Sequence, residues 1–445
     1  MARKQKEVSI DLSSIGNFPT HWKQCRLEEV CTLVTDGTHD SPKESIDGFP
    51  LVTGKSIKGR LIDFSNTYNI SSEDHVKVIA RSKAEKDDLL FANIGNSIGD
   101  LVRIDTDREF SIKNLALFKP DTTVIHPQYL EYYFFSSKVQ SYIKNSTSGS
   151  AQPFIGLGAL RAFPVALPPS SEQKRIAKWL GDIDSKIRVN TQANQTLEEM
   201  AQAIFKSWFV DFDPVKAKMN GVQPEGMDAA TASLFPEKLV ESELGLIPEG
   251  WEVNQLSDIC KNHSQSYNLK SVDEVVFVNT GDVQEGNFLH KNYSPVAGLP
   301  GQAKKAIKED DILYSEIRPK NKRFAYVDFD VSDYVVSTKF MVIQANEKVH
   351  PRLLYMILTR QNTIDEFNII ADSRSGTFPQ ITFKAISNLE FCMAPREIQD
   401  AFVSQIMPMI KLQSSLKSEN KQLAEMRDTL LPKLLSGEIE LGAED

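Results

Sequence analysis

The sequence predicts an α+β chain: two similar mixed α/β globules joined by two long helices that pack as an antiparallel coiled coil, with pseudo-two-fold symmetry. Two observations carry this. Residues in the second half repeat those of the first, in order and spacing. Each repeat also closes on a stretch whose apolar residues recur at a heptad period.

The repeat is direct. FPTHWKQCRLEEVC from Phe18 matches IPEGWEVNQLSDIC from Ile247, sharing Pro19/Pro248, Trp22/Trp251, Leu27/Leu256 and Cys31/Cys260 at one offset of 229. TGKSIKG from Thr53 matches TGDVQEG from Thr280, and DDLLFANI from Asp87 matches DDILYSEI from Asp310. His126-Pro127 matches His350-Pro351, and SGSAQP from Ser148 matches SGTFPQ from Ser375. Gln173–Phe209 then aligns without a gap on Gln399–Leu435 at offset 226.

The helical seams come next. In the first, Ile176, Leu180, Ile183, Ile187, Leu197, Ala201 and Ile204 step 4-3-4-3, with Asn190 and Asn194 in the gaps. In the second, the seam runs Phe402, Ile406, Met409, Gln413, Leu416, Asn420, Leu423, Arg427 and Leu430. Asparagines at such positions weaken a coiled coil and help fix its register. Pro408 removes a backbone donor inside the second seam, and Gly181-Asp182 stands at the matching place in the first, so a bend or fresh helix start is expected at both.

Before each seam, short β-rich runs such as ESIDGFPLVTG and DDLLFANIG alternate with Gly, Asn, Asp and Pro, and a helical patch follows His126 and His350. The expected layout is an N-terminal arm (1–17), a first globule (18–171), a central long helix (172–210), a linker (211–246), a second globule (247–396), a C-terminal long helix (397–438) and a tail (439–445). The linker is assigned from its richness in Pro, Gly, Ala and acidic residues.

Composition sets bounds on function. The apolar fraction is 41% and the charged fraction 25%, ordinary for a globular protein, and no apolar run reaches the roughly 20 residues of a membrane span. Four cysteines without CxxC spacing fit a reduced, cytoplasmic setting with no metal site. The net charge of −9 argues against purely electrostatic binding of nucleic acid, but leaves room for a local basic surface. Catalytic signatures are missing. Thr53-Gly54-Lys55-Ser56 resembles the end of a phosphate loop, yet Phe49 stands where its first glycine is required. His39 and His75 have no nucleophile turn, and no Asn/Asp-Pro-Pro-aromatic loop is present to hold a flipped adenine.

IKNLALFKP, SGSAQP, PPSSEQKRIA, SWFVDFDPVKAKMNG (207–221), ELGLIPEGW (243–251), FPQIT and DTLLPKLLSGEI, in this order and in a duplicated frame, resemble the specificity subunit of type I restriction–modification enzymes from Phe18 to Leu441. The resemblance implies that the globules are target recognition domains, each reading half of a split site in double-stranded DNA. The helices would set the spacer and dock two methyltransferase (modification) subunits, which restriction subunits join. S-adenosylmethionine, ATP and Mg²⁺ would serve those partners, and the chain itself would have no catalytic residue and no cofactor. The competing readings are a stand-alone DNA-cleaving or DNA-modifying enzyme, and a coiled-coil scaffold without sequence preference.

Contact residues are chosen by chemistry: hydrogen-bonding side chains for base edges, Lys and Arg for phosphates. In the second half, Arg318, Lys320, Asn321, Lys322 and Arg323 form the densest cationic loop, joined by Lys339 and Gln380. In the first half the candidates are Thr38, His39, Asn93, Asn96 and Ser97, with Lys55, Lys58 and Arg60 for phosphates and Lys113 and Gln152 as further contacts. The two loops differ in chemistry, which predicts an asymmetric bipartite target.

Overall fold

The computed structural model describes residues 12–13, 15–148, 153–374 and 379–439 of the chain. It divides into two compact units, Met1–Ala193 with Ser415–Asp445, and Asn194–Ser414.

In the first unit, the strands Cys31–Asp36, Ala116–Pro120, Leu89–Phe91 and Leu101–Arg103 form an antiparallel sheet in that spatial order. Alternation explains how it is buried on both faces. Leu89, Phe91, Leu101, Ala116 and Phe118 enter one core with the helix Pro127–Phe135, while Leu90, Val102 and Leu117 enter a second core on the opposite face. The outer layer is a small sheet of Tyr68–Ile70, Glu44–Val52 and Ser111–Ile112, together with the hairpin Ile57–Lys58/Leu61–Ile62. Leu12 and Ile15 of the expected arm pack into the first core.

The second unit repeats this arrangement. Its sheet runs Cys260–His263, Phe340–Ala345, Ile312–Ser315, Phe324–Tyr326. Ile312, Tyr314, Phe324 and Ile343 face one core, and Leu313, Ala325 and Val342 the other. In both units the strand that opens the repeat pairs antiparallel with the strand that precedes a long helix: Lys23–Arg26 with Pro164–Leu167, and Glu252–Gln255 with Glu390–Met393. A buried glutamine on the first turn of each helix then secures the joint. Gln173 accepts from the His126 N–H at 2.7 Å and donates to the Pro168 carbonyl at 2.9 Å; Gln399 does the same with His350 (2.8 Å) and Ala394 (2.7 Å).

The long helices are Ser170–Phe209 and Arg396–Ser436, and the boundary between the units falls inside both. Within the first unit they pair antiparallel, since rising numbers in one meet falling numbers in the other. Ile176, Ala177 and Leu180 share a core with Leu431, Leu434 and Leu435. Further along, Asp184 meets Arg427 at 2.8 Å, and Asn190 donates to Glu419 at 2.8 Å. Asn420 donates to the Thr191 hydroxyl at 3.2 Å. Within the second unit the same sense holds: Gln413 donates to the Asn194 carbonyl at 3.1 Å, and Phe205 and Phe209 pack on Phe402. Ile183, Ile187, Leu197, Ile204, Met409, Leu416, Leu423 and Leu430 are all half-buried along the seam, and Ile406 is fully buried.

Two expectations change. No fresh helix starts at Pro408, which lies on the exposed side of an unbroken helix. Its missing donor concerns the carbonyl of Ser404, also exposed, where water can substitute. The segment 211–246 is not a free tether. It forms the helices Asp213–Met219 and Ala229–Ser233 and the hairpin Leu239–Ser242/Gly245–Pro248. Val215 and Phe235 bury themselves in the core of the second unit, Phe235 edge-on to Trp208 at 5.1 Å. These scattered apolar residues are enough to fold a segment whose overall composition reads as linker.

Candidate nucleic-acid interface

The cationic loop of the second unit follows the sheet strand Ile312–Ser315 and is a built feature. Pro319–Asn321 make one 3-10 turn, flanked by Arg318 (φ +45°) and Lys322 (φ +52°) in left-handed backbone geometry. Non-glycine residues adopt that geometry at a cost, so surrounding contacts must hold it. Four do. The Arg318 N–H bonds the Pro379 carbonyl at 3.0 Å and the Lys320 N–H bonds Asn368 Oδ1 at 2.8 Å. The Lys322 carbonyl accepts from the Glu285 N–H at 2.9 Å, and the Asn321 carbonyl accepts from Gln284 Nε2 at 3.0 Å.

These ties gather residues far apart in sequence. Gln380, exposed, pairs through its backbone with Ile317, and Lys339 is joined through its carbonyl to the Glu316 N–H at 2.9 Å. Arg318 and Lys320 are exposed; Asn321, Lys322 and Arg323 are half-exposed. Among the described residues, none of the five cations Arg318, Lys320, Lys322, Arg323 and Lys339 has an acidic partner within ion-pair distance. Four such charges on a fixed loop, with Lys339 tied beside them, repel one another. They suit a polyanion.

In the first unit the candidates fall into three places. Thr38 and Lys113 form a backbone bridge, and His39 stands between Asn114 Oδ1 (3.0 Å) and Asp36 Oδ2 (3.1 Å). Asp36 is also paired with Arg81. Gly37 permits this cluster, because a Cβ there would lie 2.2 Å from the Ile112 carbonyl oxygen. The second place is the turn Gly95–Ser97, with Asn96 exposed, lying against the turn Gly54–Ser56 that carries exposed Lys55; a Cβ on Gly54 would meet Ser97 Oγ at 2.9 Å. Lys58, nearby, is held by Asp63 at 2.5 Å, and that bond leads the causes that depress the Asp63 carboxyl to about 2. Asn93 is buried and donates to the Ile155 carbonyl at 3.2 Å, so its side chain fixes the turn more than it faces outward. Third, Arg60 turns away from this surface to Asp184 of the central helix and stacks on Tyr132 and Phe135. Gln152 lies outside the described residues.

Sequence reasoning missed several participants. Asn368 holds the Lys320 turn from a helix 48 residues away, and Asn114 (φ +52°) holds His39 across 75. Phe154, 46% exposed, bridges Ile94 in the first unit as Gln380 bridges Ile317 in the second, so the matched edges carry an aromatic ring and an amide. The matching SG…P segments are the signal that could have paired them.

No group of three or more His, Cys, Asp or Glu placed to hold a metal ion occurs among the described residues, and all four cysteines are free thiols. No helix of the described residues is long and apolar enough to cross a membrane.

Two globules with unequal polar loops, each mounted at the root of a paired long helix, define a DNA-specificity class of protein. The chain belongs to the type I restriction modification DNA specificity domain family, whose model matches residues 19–199 and 248–425, one match per repeat. It is 46% identical over 179 residues to the HindI specificity subunit of Haemophilus influenzae, a match covering 39% of each chain. It is 26% identical over 456 residues to the MjaIX specificity subunit of Methanocaldococcus jannaschii, covering 99% of this chain and 98% of that one. Among solved structures, the S subunit of a type I restriction–modification system from M. genitalium shares the fold, with a TM-score of 0.55 at 14% identity over 95% of this chain and 97% of that chain.

Proposed function

We propose that this chain is the non-catalytic DNA-reading subunit of a type I restriction–modification complex in the cytoplasm. Each unit reads one half of an asymmetric bipartite target, and the paired helices set the spacer and dock two methyltransferase subunits, to which restriction subunits are added. S-adenosylmethionine, ATP and Mg²⁺ serve those partner subunits. The observation that carries the reading is the Arg318–Arg323 loop, whose cations lack acidic partners among the described residues and whose strained backbone is held by four hydrogen bonds. Its counterpart, Gly95–Ser97, has no charged side chain, which supports unlike half-sites.

The test uses the chain assembled with its methyltransferase subunits. Methylation mapping defines the target, and footprinting then compares wild type with Arg318→Ala and Lys320→Ala. A lost bidentate base contact weakens the second half-site by about 1–3 kcal/mol, whereas a lost phosphate contact weakens all sequences equally. Full protection of that half-site in both variants rejects the loop as a reader. Flat affinity across DNA sequences in the wild type supports a scaffold instead, and cleavage or methylation by the purified chain alone supports an enzyme.

A further inference from the structure

The two units mount their globules on the long helices by different chemistry. In the first unit, Asp184 of the central helix is the meeting point of three groups from three elements. Arg60 reaches it from the turn of the hairpin Ile57–Lys58/Leu61–Ile62, Tyr132 donates its hydroxyl at 2.5 Å from the globule's helix, and Arg427 donates at 2.8 Å from the C-terminal helix. The Arg60 guanidinium is clamped between this carboxylate and two rings, 4.9 Å above Tyr132 and 4.1 Å above Phe135. All three charged side chains are largely withdrawn from solvent, at 16% exposure for Asp184, 22% for Arg60 and 18% for Arg427. Ion pairs so placed are directional and costly to break, unlike exposed ones.

Among the described residues, no such charged cluster recurs in the second unit. At offset 226 along the helices, Asp184 corresponds to Ile410 and Arg427 to Ala201; Tyr132 corresponds to Met356. Ala201 is buried in the second unit's core, with Ile410 and Met356 packed against it. In the register of the hairpin pairing, Gly286 of Val283–Gln284/Asn287–Phe288 takes the second turn position that Arg60 takes in the first unit, and a Cβ there would lie 2.8 Å from the Tyr355 hydroxyl. That turn meets the globule's own helix Pro351–Thr359 at the Tyr355 hydroxyl. The second joint is apolar packing with Arg360 stacked 5.4 Å over the Phe205 ring; the first is locked by one shared carboxylate.

Resting on the proposed function, we infer that Asp184 is a positioning residue for spacer selection: through Arg60 and Arg427 it fixes the angle at which the first recognition domain leaves its helix pair. The split target is read correctly only when the first domain meets its half-site at one distance and rotation from the second. Freeing the joint lets it meet half-sites displaced by a base pair, while the bases it reads stay the same.

The experiment measures methylation by the assembled complex on duplexes that keep both half-sites and change the spacer by one base pair either way. Asp184→Asn and Arg427→Met should lower the preference for the native spacer by roughly 3–30-fold. Base preference within each half-site should be kept, and Asp184→Glu should restore spacer preference. An unchanged spacer preference in Arg427→Met overturns the inference even if Asp184→Asn does not fold. So does loss of base preference at the first half-site, which means a disrupted domain. Arg60→Met separates the remaining case, because a uniform loss over all spacers makes Arg60 a phosphate contact instead. If the wild-type complex shows no base preference at all, the proposed function fails, independently of the joint.

Discussion

Arg103 and Tyr326 occupy the same sheet position in the two units, opposite Leu89 and Ile312. Arg103 is paired with Asp87 at 2.6 Å and with Glu131 at 3.2 Å, and Glu131 is buried. Tyr326 instead bonds Asp310 and packs edge-on, at 5.6 Å, against Tyr355, which stands where Glu131 does. Burial pushes the Glu131 carboxyl upward, and Arg103 opposes that push. We therefore expect Arg103→Met to destabilise the first unit by about 3–5 kcal/mol at neutral pH in urea melts, because it strands a buried charge. The double change Arg103→Tyr, Glu131→Tyr, copying the second unit, should cost much less. The sign of the pH dependence is fixed. With Arg103 gone, the folded pKa of Glu131 rises further above its unfolded value near 4.5, so the folded state binds the extra proton. The deficit should then shrink as pH falls through the folded pKa; a deficit independent of pH would point to lost packing alone.

At the scale of elements, the seam is polar where it could have been apolar. Asn420 donates to Thr191, but its Oδ1 is buried without a hydrogen-bond partner among the described residues. Asn420→Leu should raise the stability of the helix pair by about 0.5–1 kcal/mol in thermal melts; destabilisation would mean that the Thr191 bond outweighs the orphaned oxygen. Period and pairing sense of these helices were legible, because a heptad pattern is local and a gap-free duplication names the partner. So was the loop Arg318–Arg323, four charges in six consecutive residues. What holds the loop was not legible. Asn368 lies on a helix 48 residues on, and nothing in its neighbours marks it as a turn's partner. Arg60 is expected near phosphates from its place beside the Asn93–Ser97 loop, and what sequence did not show is that its two-residue hairpin turn brings it to a carboxylate 124 residues distant. Folding of the 211–246 segment turned on Val215 and Phe235, too few to lift its average composition.

For the whole molecule, the proposed function makes helix length a measure of DNA length. Removing one heptad from each helix, residues 191–197 and the facing 414–420, keeps the seam in phase, since seven residues close two turns of a coiled coil. It shortens the pair by roughly 10 Å at 1.5 Å per residue, or about three base pairs at 3.4 Å. Distance and rotation then conflict. Three base pairs turn the duplex by about 100°, given 10–10.5 base pairs per turn, whereas a heptad turns a straight helix by only about 20°. The two half-sites can no longer be met at both the right separation and the right face without bending or twisting the DNA. The expected outcome is a preferred spacer shortened by two to four base pairs, with weaker methylation than wild type on its own target and base preference retained in each half. Measuring methylation over a ladder of spacers checks it. An optimum that stays at the native spacer would mean that the helices do not set the distance, and that the partners which grip them do.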